Sequence, residues 1–255
     1  MTSAVTIRPV TGLGEILSGE GLASNIAEAI RAMQIRLESH SILVVAQKVI
    51  SKAESRFIDL RDVEPSDRAR DIARASDKDP RLVELILRES SDVMRVRPHV
   101  LIVRHRLGYV MAHAGIDRSN VPMADGWERV LLLPEQPDES AASLRAALGQ
   151  ELGVEPGVIV SDSFGRAWRL GTVNVALGCA GVAAVRDRRG ELDRDGRPLE
   201  NTIVGWADAI AAAAGLVMGE AAEGHPVVLV EDLHCDAPPL PASALIRPIR
   251  DDLFT

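Results

Sequence analysis

Aromatic residues are scarce in this sequence, since only 3% of its 255 residues are Phe, Trp or Tyr although 46% are hydrophobic. The core of the protein must therefore be aliphatic, and the chain is long enough to bury a substantial one. Cysteine is nearly absent as well. Cys179 and Cys235 are the only two in the sequence, and their lack of paired spacing argues against a disulfide scaffold or a cysteine zinc site.

The sequence also has fewer basic residues than acidic residues, and it has no long apolar run. The formal net charge is -8, which disfavours a general nucleic-acid binder, because such proteins neutralise phosphates with an excess of basic residues. No apolar run approaches the ~20 residues that span a bilayer, and no basic-then-apolar segment typical of a secretion signal opens the chain. We therefore expect a cytoplasmic protein with neither a nucleic-acid nor a membrane partner.

The hydrophobic pattern predicts alternating strands and helices. Apolar runs bounded by turn residues predict strands at 42–46, 100–103, 109–112, 130–133, 157–160 and 227–230. Apolar residues at helical spacing predict helices over 22–37, 80–87, 143–152 and 202–218. Because no long flexible linker separates these elements, we expect an α+β (mixed α/β) fold, with mixed β-sheets and flanking helices. It forms one domain over 1–255, in which 236–255 is a Pro-rich tail.

The most informative segment is the polar stretch after the apolar run at 157–160. Asp162 and Ser163 are expected at the carboxyl end of a buried strand, where open α/β sheets bind ligands. Their oxygens suit Mg²⁺ or Mn²⁺. Arg166 and Arg169 follow in the same loop, and their guanidinium groups can form paired hydrogen bonds with phosphate or carboxylate oxygens. The alternative is an exposed turn with solvated charges, since Asp-Ser-x-Gly is common turn chemistry.

Lysine usage gives an independent signal. Only three of the 29 basic residues are lysines, and two of them, Lys48 and Lys52, follow the predicted strand at 42–46. A compact ammonium group binds nucleotide phosphates as a point charge, so these lysines are candidate nucleotide contacts, with ordinary surface lysines as the alternative. The chain has neither a Walker A sequence nor a GxGxxG motif, so a nucleotide needs a different phosphate-binding element.

Two further polar clusters follow predicted elements. Asp117 and Asn120 come after the strand at 109–112 and offer a second hard-oxygen ligand and a neutral donor. Glu220 follows the helix over 202–218 and is a candidate third carboxylate of a divalent-cation site. Its alternative is a solvated acid at a Gly-rich helix end. The spacing along the chain does not show whether these acids meet in space.

Four segments together resemble the coenzyme F420-0:L-glutamate ligase (F420 gamma-glutamyl ligase) family. They read QKVISKAESR at 47–56, HAGIDRSNV at 113–121, SDSFGRAWRLG at 161–171 and ADAIAAAAGLVMGE at 207–220, and they occur in the family's order along nearly the whole chain. The segment LIRPIRDDLF near the end of the chain also looks like the end of the ligase portion in relatives that carry an additional nitroreductase-like domain. We therefore expect a stand-alone ligase without that domain.

The resemblance implies a GTP-dependent reaction that adds L-glutamate through γ-linkages to the deazaflavin coenzyme F420-0 by way of an acyl phosphate. It also implies a homodimer and a fold of two interlocked subdomains. Divalent cations, Mg²⁺ or Mn²⁺, are assigned to Asp117 with Asp162 and to Ser163 with Glu220, and K⁺ is a further candidate. The implied GTP contacts are Leu13, Gly14, Glu15, Ile16, Gln47, Lys48, Lys52, Asn120, Met218, Gly219, Glu220, Ala221, Ala222, Glu223, Gly224 and His225.

Two other functions stay open for the sequence alone. A non-catalytic GTP- and metal-binding partner of a deazaflavin oxidoreductase would bind the nucleotide without forming product. An acidic scaffold whose motifs are only turns would bind no nucleotide. In the ligase, Arg166 and Arg169 are our candidates for gripping substrate carboxylates or phosphate, and no residue is assigned as the base that deprotonates the glutamate amine.

Overall fold

The computed structural model describes residues 4–16, 18–19, 21–119, 121, 126 and 128–252. The strands are β1 (Thr6–Pro9), β2 (Ile42–Ala46), β3 (Phe57–Asp59), β4 (Ser90–Arg97), β5 (Val100–His105), β6 (Val110–Ala112), β7 (Arg129–Leu131), β8 (Gly157–Gly165), β9 (Thr172–Ala180), β10 (Val185–Asp187), β11 (Ile203–Gly205) and β12 (Val227–Glu231). The helices are α1 (Leu22–Ala32), α2 (Gln47–Ala53), α3 (Asp67–Ser76), α4 (Pro80–Arg88), α5 (Pro137–Leu152) and α6 (Trp206–Met218).

A five-stranded mixed sheet, in the order β1-β12-β2-β8-β9, forms the centre of the fold. β2 and β8 run parallel, and the other neighbours are antiparallel. Leu43 and Val45 pack in a cluster with α1 and α5, whereas Ile42 and Val44 pack in a cluster with α6. Successive side chains of a strand point to opposite faces, and both faces of this sheet are covered by helices. These strands therefore read as continuous apolar runs.

A second core lies among α3, α4 and the three-stranded sheet β4-β5-β6. Val83 and Ile86 of α4 and Leu101 of β5 are buried there. A small cluster that includes Tyr109 and Leu177 connects this layer to the central sheet. The Tyr109 hydroxyl donates a hydrogen bond to the backbone oxygen of Leu177, which fixes the contact between the two layers.

The structure confirms the α+β fold class and most of the predicted elements, with several differences. The helix predicted over 22–37 ends at Ala32, and Gln34 then takes a positive φ of 56°. α5 begins at Pro137, before the predicted start at residue 143, because proline fits the first turn of a helix. α6 begins at Trp206, because β11 precedes it. No helix in the described part of the chain has the length and apolar composition needed to cross a bilayer.

The strand that leads to the candidate site is longer than predicted. β8 continues through Gly165, so Asp162 and Ser163 lie within the strand, and the prediction that they fall in a loop after it was wrong. The cause is the antiparallel partner β9, which pairs with the polar part of β8 as well as with its apolar part. The parallel pairing with β2 ends at Ser161, so Asp162 lies just past the end of that pair.

A β-bulge interrupts the hairpin of β8 and β9 where the polar segment begins. Val160 pairs with Gly178 but Ser161 pairs with Ala176, which leaves Leu177 as an extra residue on β9. A bulge of this kind bends the strand and shifts the alternation of side chains between the two faces. On either side of the bulge, the side chains of the hairpin therefore alternate between the two faces of the sheet, but the alternation is shifted by one residue at the bulge.

One carboxylate ties the segment after β12 to the central sheet. Asp138, in the first turn of α5, accepts hydrogen bonds from the backbone N–H groups of Cys179, Ala242 and Ser243 at 2.9, 2.7 and 3.2 Å. A single side chain thus joins a helix, a sheet strand and the tail.

We expect Asp138→Ala to lower the free energy of unfolding by about 2–3 kcal/mol, because three backbone donors would lose their shared acceptor. Denaturant unfolding measures this change. Glu139→Ala is the matched control, since Glu139 is the next residue and is exposed. A difference between the two variants below about 0.5 kcal/mol, the range of ordinary surface substitutions, would contradict the role of Asp138.

Candidate functional site

A cavity of about 380 Å³ opens where the parallel strands β2 and β8 stop pairing. Five parts of the chain form its wall: residues 13–16, the junction of β2 and α2, the polar part of β8, Asn174 of β9, and the end of α6 with the segment after it. We refer to it as the β2–β8 cavity. The predicted GTP contacts that line it are Leu13, Gly14, Glu15, Ile16, Gln47, Lys48, Lys52, Met218, Gly219, Glu220, Ala221, Gly224 and His225.

Two predicted GTP contacts of the described residues are not part of this wall, and the position of a third is not described. Asn120 lies outside the described residues. Ala222 and Glu223 do not line the cavity, because the Glu223 carboxylate turns back into its own loop and accepts the backbone N–H of Ala221 at 2.8 Å. This inward turn needs glycine at position 219, where φ is +77° and an added Cβ would lie 2.3 Å from Glu223 Cδ.

Two ammonium groups project from one side of α2. Lys48 and Lys52 are four residues apart and therefore share a helix face. Lys48 Nζ lies 2.7 Å from Asp117 Oδ2 and 2.8 Å from Ser119 Oγ. The Lys52 side chain is only 12% exposed, and its Nζ is 3.8 Å from Glu15 Oε1, which is longer than a hydrogen bond. Lys48 is therefore closely paired, whereas Lys52 has weak compensation for its charge.

Asp117 lies beside the cavity rather than in its wall. Its backbone exchanges two hydrogen bonds of 2.9 Å with Leu131. Its Oδ1 accepts hydrogen bonds from the backbone N–H and the hydroxyl of Ser119, both at 2.7 Å. With Lys48 on the other oxygen, the carboxylate is held on both sides. Lys48 lines the cavity, and its contact with Asp117 therefore holds the segment around Asp117 next to the cavity.

Asp162 is the most perturbed carboxyl group of the cavity. Desolvation raises its pKa to about 7, although a hydrogen bond from the Ser163 backbone acts in the opposite direction. The charges of Asp117 and Glu220 raise this pKa further, and the charge of Lys48 lowers it. Three carboxyl groups from distant parts of the sequence therefore act on one another, and this concentration of negative charge favours a cation.

The donor set suits a divalent cation that also binds a phosphate. Asp162, Ser163 and Glu220 line the cavity and carry the hard oxygens that Mg²⁺ and Mn²⁺ prefer. Within the described ranges, however, no three acidic, imidazole or thiol groups are close enough to hold one ion. Magnesium is commonly held by one or two carboxylates together with substrate phosphates. The residues present therefore fit a metal–triphosphate better than a metal alone.

Arg166 and Arg169 lie outside the cavity wall, in the exposed turn that joins β8 to β9. Arg166 Nη2 donates a hydrogen bond to the Leu170 backbone oxygen at 3.0 Å. Trp168 and Leu170 in the same turn are 82% and 99% exposed. The turn thus presents two guanidinium groups and two large apolar side chains beyond the cavity.

The sequence analysis missed two buried polar residues of the wall, Ser161 and Asn174. Asn174 Nδ2 lies 3.5 Å from Ser161 Oγ, across the β8 and β9 strands. The helix α6 approaches closely at Gly215, where an added Cβ would lie 2.6 Å from Asn174 Oδ1. A single polar residue inside an otherwise apolar strand was the signal that could have identified Asn174.

The chain is similar over nearly its whole length to proteins of one family. The sequence profile of the F420-0:Gamma-glutamyl ligase family matches residues 12–232, a range that contains the entire wall of the β2–β8 cavity. The chain is 43% identical over 252 residues to the coenzyme F420:L-glutamate ligase of Methanopyrus kandleri, covering 97% of this chain and 96% of the relative. It is 41% identical over 255 residues to the protein of the same name from Methanothermobacter thermautotrophicus, covering 98% of each.

Proposed function

The chain belongs to the F420-0:gamma-glutamyl ligase family, and on this premise we propose that it is a GTP- and divalent-metal-dependent ligase. It adds L-glutamate through γ-linkages to the deazaflavin coenzyme F420-0. The names of the relatives in Methanopyrus kandleri and Methanothermobacter thermautotrophicus support the two substrates, F420 and L-glutamate.

One observation carries the nucleotide and metal part of this proposal: the β2–β8 cavity presents charges of both signs. Asp162 and Glu220 provide carboxylates, and Lys48 and Lys52 provide ammonium groups. A triphosphate with its divalent cation needs both, because the carboxylates bind the cation and the ammonium groups neutralise phosphate oxygens. A cavity with charges of one sign would suit only one of these partners.

Asp117 and Asp162 would hold one divalent cation, and Ser163 and Glu220 a second, with Mg²⁺ or Mn²⁺ as the ions and K⁺ as a further candidate. When bound, the cations neutralise the phosphates of GTP and align them for in-line transfer. Lys48 lies 2.7 Å from Asp117, so a cation that binds this carboxylate would compete with the ammonium group and leave more of its N–H donors for a phosphate. Cation binding at Asp117 and phosphate binding at Lys48 should therefore support each other.

The reaction takes place in two steps. A carboxylate oxygen of the acceptor attacks the γ-phosphorus of GTP, so that an acyl phosphate forms and GDP leaves. The amine of L-glutamate then attacks the acyl carbon, loses a proton and expels inorganic phosphate, which leaves an amide. Lys48 and Lys52 bind phosphate oxygens during the first step, and Arg166 and Arg169 hold the anionic groups of the acceptor outside the cavity.

The direct test is to incubate the purified chain with F420-0, GTP, L-glutamate and Mg²⁺ or Mn²⁺ and to determine product masses. The expected result is a gain of one or more glutamyl residues with a matching release of GDP and phosphate. Metal-dependent GTP binding without any product would favour the non-catalytic partner of a deazaflavin oxidoreductase instead. Absence of nucleotide binding by calorimetry would overturn both.

The raised pKa of Asp162 predicts that the stabilising effect of a divalent cation grows with pH. The folded protein keeps the Asp162 proton up to about pH 7, whereas in the unfolded chain its pKa is 3.8. Between these values the folded state binds more protons, so the contribution of this group to stability falls as pH rises. A cation must displace the proton below pH 7 but finds the carboxylate ionised above it.

Thermal unfolding in the presence of GTP, with and without Mg²⁺ or Mn²⁺, at pH 5.5 and pH 8.5 measures this effect. We expect the rise in Tm to be larger at the higher pH in the wild type. In Asp162→Asn the rise should be smaller and should not depend on pH between these two values. An equal response of both proteins to the cation would contradict the role of Asp162 as a ligand.

We also propose that the enzyme is a homodimer and works in the cytoplasm on small molecules, without nucleic-acid or membrane partners. Size-exclusion chromatography with light scattering determines the oligomeric state. Localisation of a tagged chain in intact cells tests the compartment.

A further inference from the structure

A second cavity, of about 420 Å³, adjoins the β2–β8 cavity. Glu15, Ile16 and Lys52 line both cavities, so the two share part of one wall. We refer to the second as the Arg129 cavity, because Arg129 of β7 is the second cation in its lining. The remaining lining residues are Ser18, Ser55 and Phe57.

The lining of the Arg129 cavity carries two cationic side chains and one anionic side chain. Lys52 and Arg129 are cations, and Glu15 is an anion. Two hydroxyl groups, from Ser18 and Ser55, are hydrogen-bonded to each other. The side chains of Ile16 and Phe57 supply apolar surface. A ligand that matches this lining has two anionic groups, one cationic group and a short aliphatic segment.

Both cations have incomplete partners among the described residues. Arg129 Nε is buried and has no hydrogen-bond partner there. The guanidinium carbon of Arg129 lies 5.5 Å from the centre of the Phe57 ring, which holds the planar group in place without using its N–H donors. Lys52 is mostly buried and lies 3.8 Å from Glu15. Arg129 also acts through its charge on Asp59, but cations that are partly removed from water and have an N–H donor without a partner or only a distant counter-ion favour an anionic ligand.

We infer that the Arg129 cavity binds the amino-acid substrate, L-glutamate, with its two carboxylates on Arg129 and Lys52 and its ammonium group on Glu15. This inference rests on the proposed function, and it assigns a place to the substrate that supplies the nucleophile. The ligand carries two carboxylates and one ammonium group, which pair one to one with the charged residues of the lining. Its methylene groups lie against Ile16 and Phe57.

The shared wall explains how this position serves the reaction. Glu15 lines both cavities, so an amine held by its carboxylate lies at the boundary with the β2–β8 cavity, where the acyl phosphate is formed. Lys52 likewise contacts both cavities and can bind a carboxylate of the amino acid on one side and a phosphate on the other. Holding the two reactants side by side in this way makes the second step effectively unimolecular.

Arg129→Gln tests the inference, because this substitution should change KM for L-glutamate but not KM for GTP. Loss of a charge-assisted contact should raise KM for L-glutamate by about tenfold or more, while KM for GTP changes by less than about twofold. Arg61→Gln is the matched control, because Arg61 and Arg129 both lower the pKa of Asp59 through their charge, but Arg61 lies outside the cavity lining. The control should leave both constants unchanged.

Glutarate, which has the two carboxylates but no amine, is a second probe. It should inhibit the wild type in competition with L-glutamate and not with GTP, and it should inhibit Arg129→Gln more weakly. If Arg129→Gln does not fold, Arg129→Lys takes its place, because it keeps the charge while losing the planar fork, and its KM for L-glutamate should rise by about threefold or more.

The outcomes separate this inference from the proposed function. A wild type that makes no glutamylated product overturns the ligase assignment, whatever Arg129 does. An active wild type together with an Arg129→Gln or Arg129→Lys variant whose KM for L-glutamate is unchanged overturns the Arg129 cavity as the amino-acid site alone. Equal increases in both Michaelis constants would also overturn it, because they would indicate a general structural effect.

Discussion

Asp162→Asn is expected to reduce ligase turnover by about a thousandfold or more, a loss comparable with that of other groups that neutralise charge in phosphoryl transfer. The substitution keeps the size of the side chain but removes the negative charge on which the charges of Asp117 and Glu220 act. An amide is a weaker ligand for Mg²⁺ than a carboxylate. Steady-state assays of GDP release and glutamylated product measure the loss.

The same variant should fold as well as the wild type. Because desolvation raises the pKa of Asp162 to about 7, the ionised carboxylate destabilises the folded state at pH 8. Without divalent cations, Asp162→Asn should therefore unfold at the same or a higher temperature than the wild type. Asp208→Asn is the matched control: burial also raises the pKa of Asp208, but this residue does not line the β2–β8 cavity and the variant should stay active. Undiminished turnover in Asp162→Asn would refute the metal role.

Gly178→Ala should lower the free energy of unfolding by at least about 3 kcal/mol, or prevent folding. An added Cβ at this position would lie 2.1 Å from the backbone oxygen of Pro137 and 2.7 Å from the backbone nitrogen of Asp138. These are backbone atoms at the start of α5, so no side-chain rotation relieves the overlap. The helix would have to move away from β9.

Gly165→Ala is the matched control for this prediction. Gly165 lies on the partner strand of the same hairpin, and an added Cβ there meets no atom within 4 Å. Chemical denaturation should show a change of about 0.5 kcal/mol or less for this variant. If Gly178→Ala were equally mild, the close packing of α5 on β9 would not be required for stability.

The parts of the fold that the sequence predicted are those in which one local signal dominates. Ile42–Ala46 was predicted with its observed bounds, because a strand buried on both faces has to be apolar throughout. The helix start at Pro80 was also predicted, and the Asp79 side chain before it accepts the Arg81 backbone N–H as an N-cap does. α3 and β4 were not predicted, because they are rich in charged residues and their few apolar contacts are made with partners distant in sequence.

The candidate site was predictable in its residue types but not in its geometry. Glu220 and Asp162 were identified from the polar segments that follow apolar runs, and the structure places both in the wall of one cavity. The contact of Lys48 with Asp117 was not predictable, because it joins residues far apart in the chain through an otherwise isolated bridge to Leu131. The strand position of Asp162 was also missed, because β9 supplies the pairing that its own sequence does not indicate.

The bulge at Leu177 determines where this protein can tolerate changes in length. The turn of residues 166–171 lies beyond the paired strands, so an insertion or deletion there leaves the register of both strands intact. Removing Leu177 would instead restore regular alternation and exchange the faces on which residues of the hairpin lie. The register of the two strands therefore tolerates a change in the length of the turn, provided that Arg166 and Arg169 are kept, but it does not tolerate the loss of Leu177 from β9.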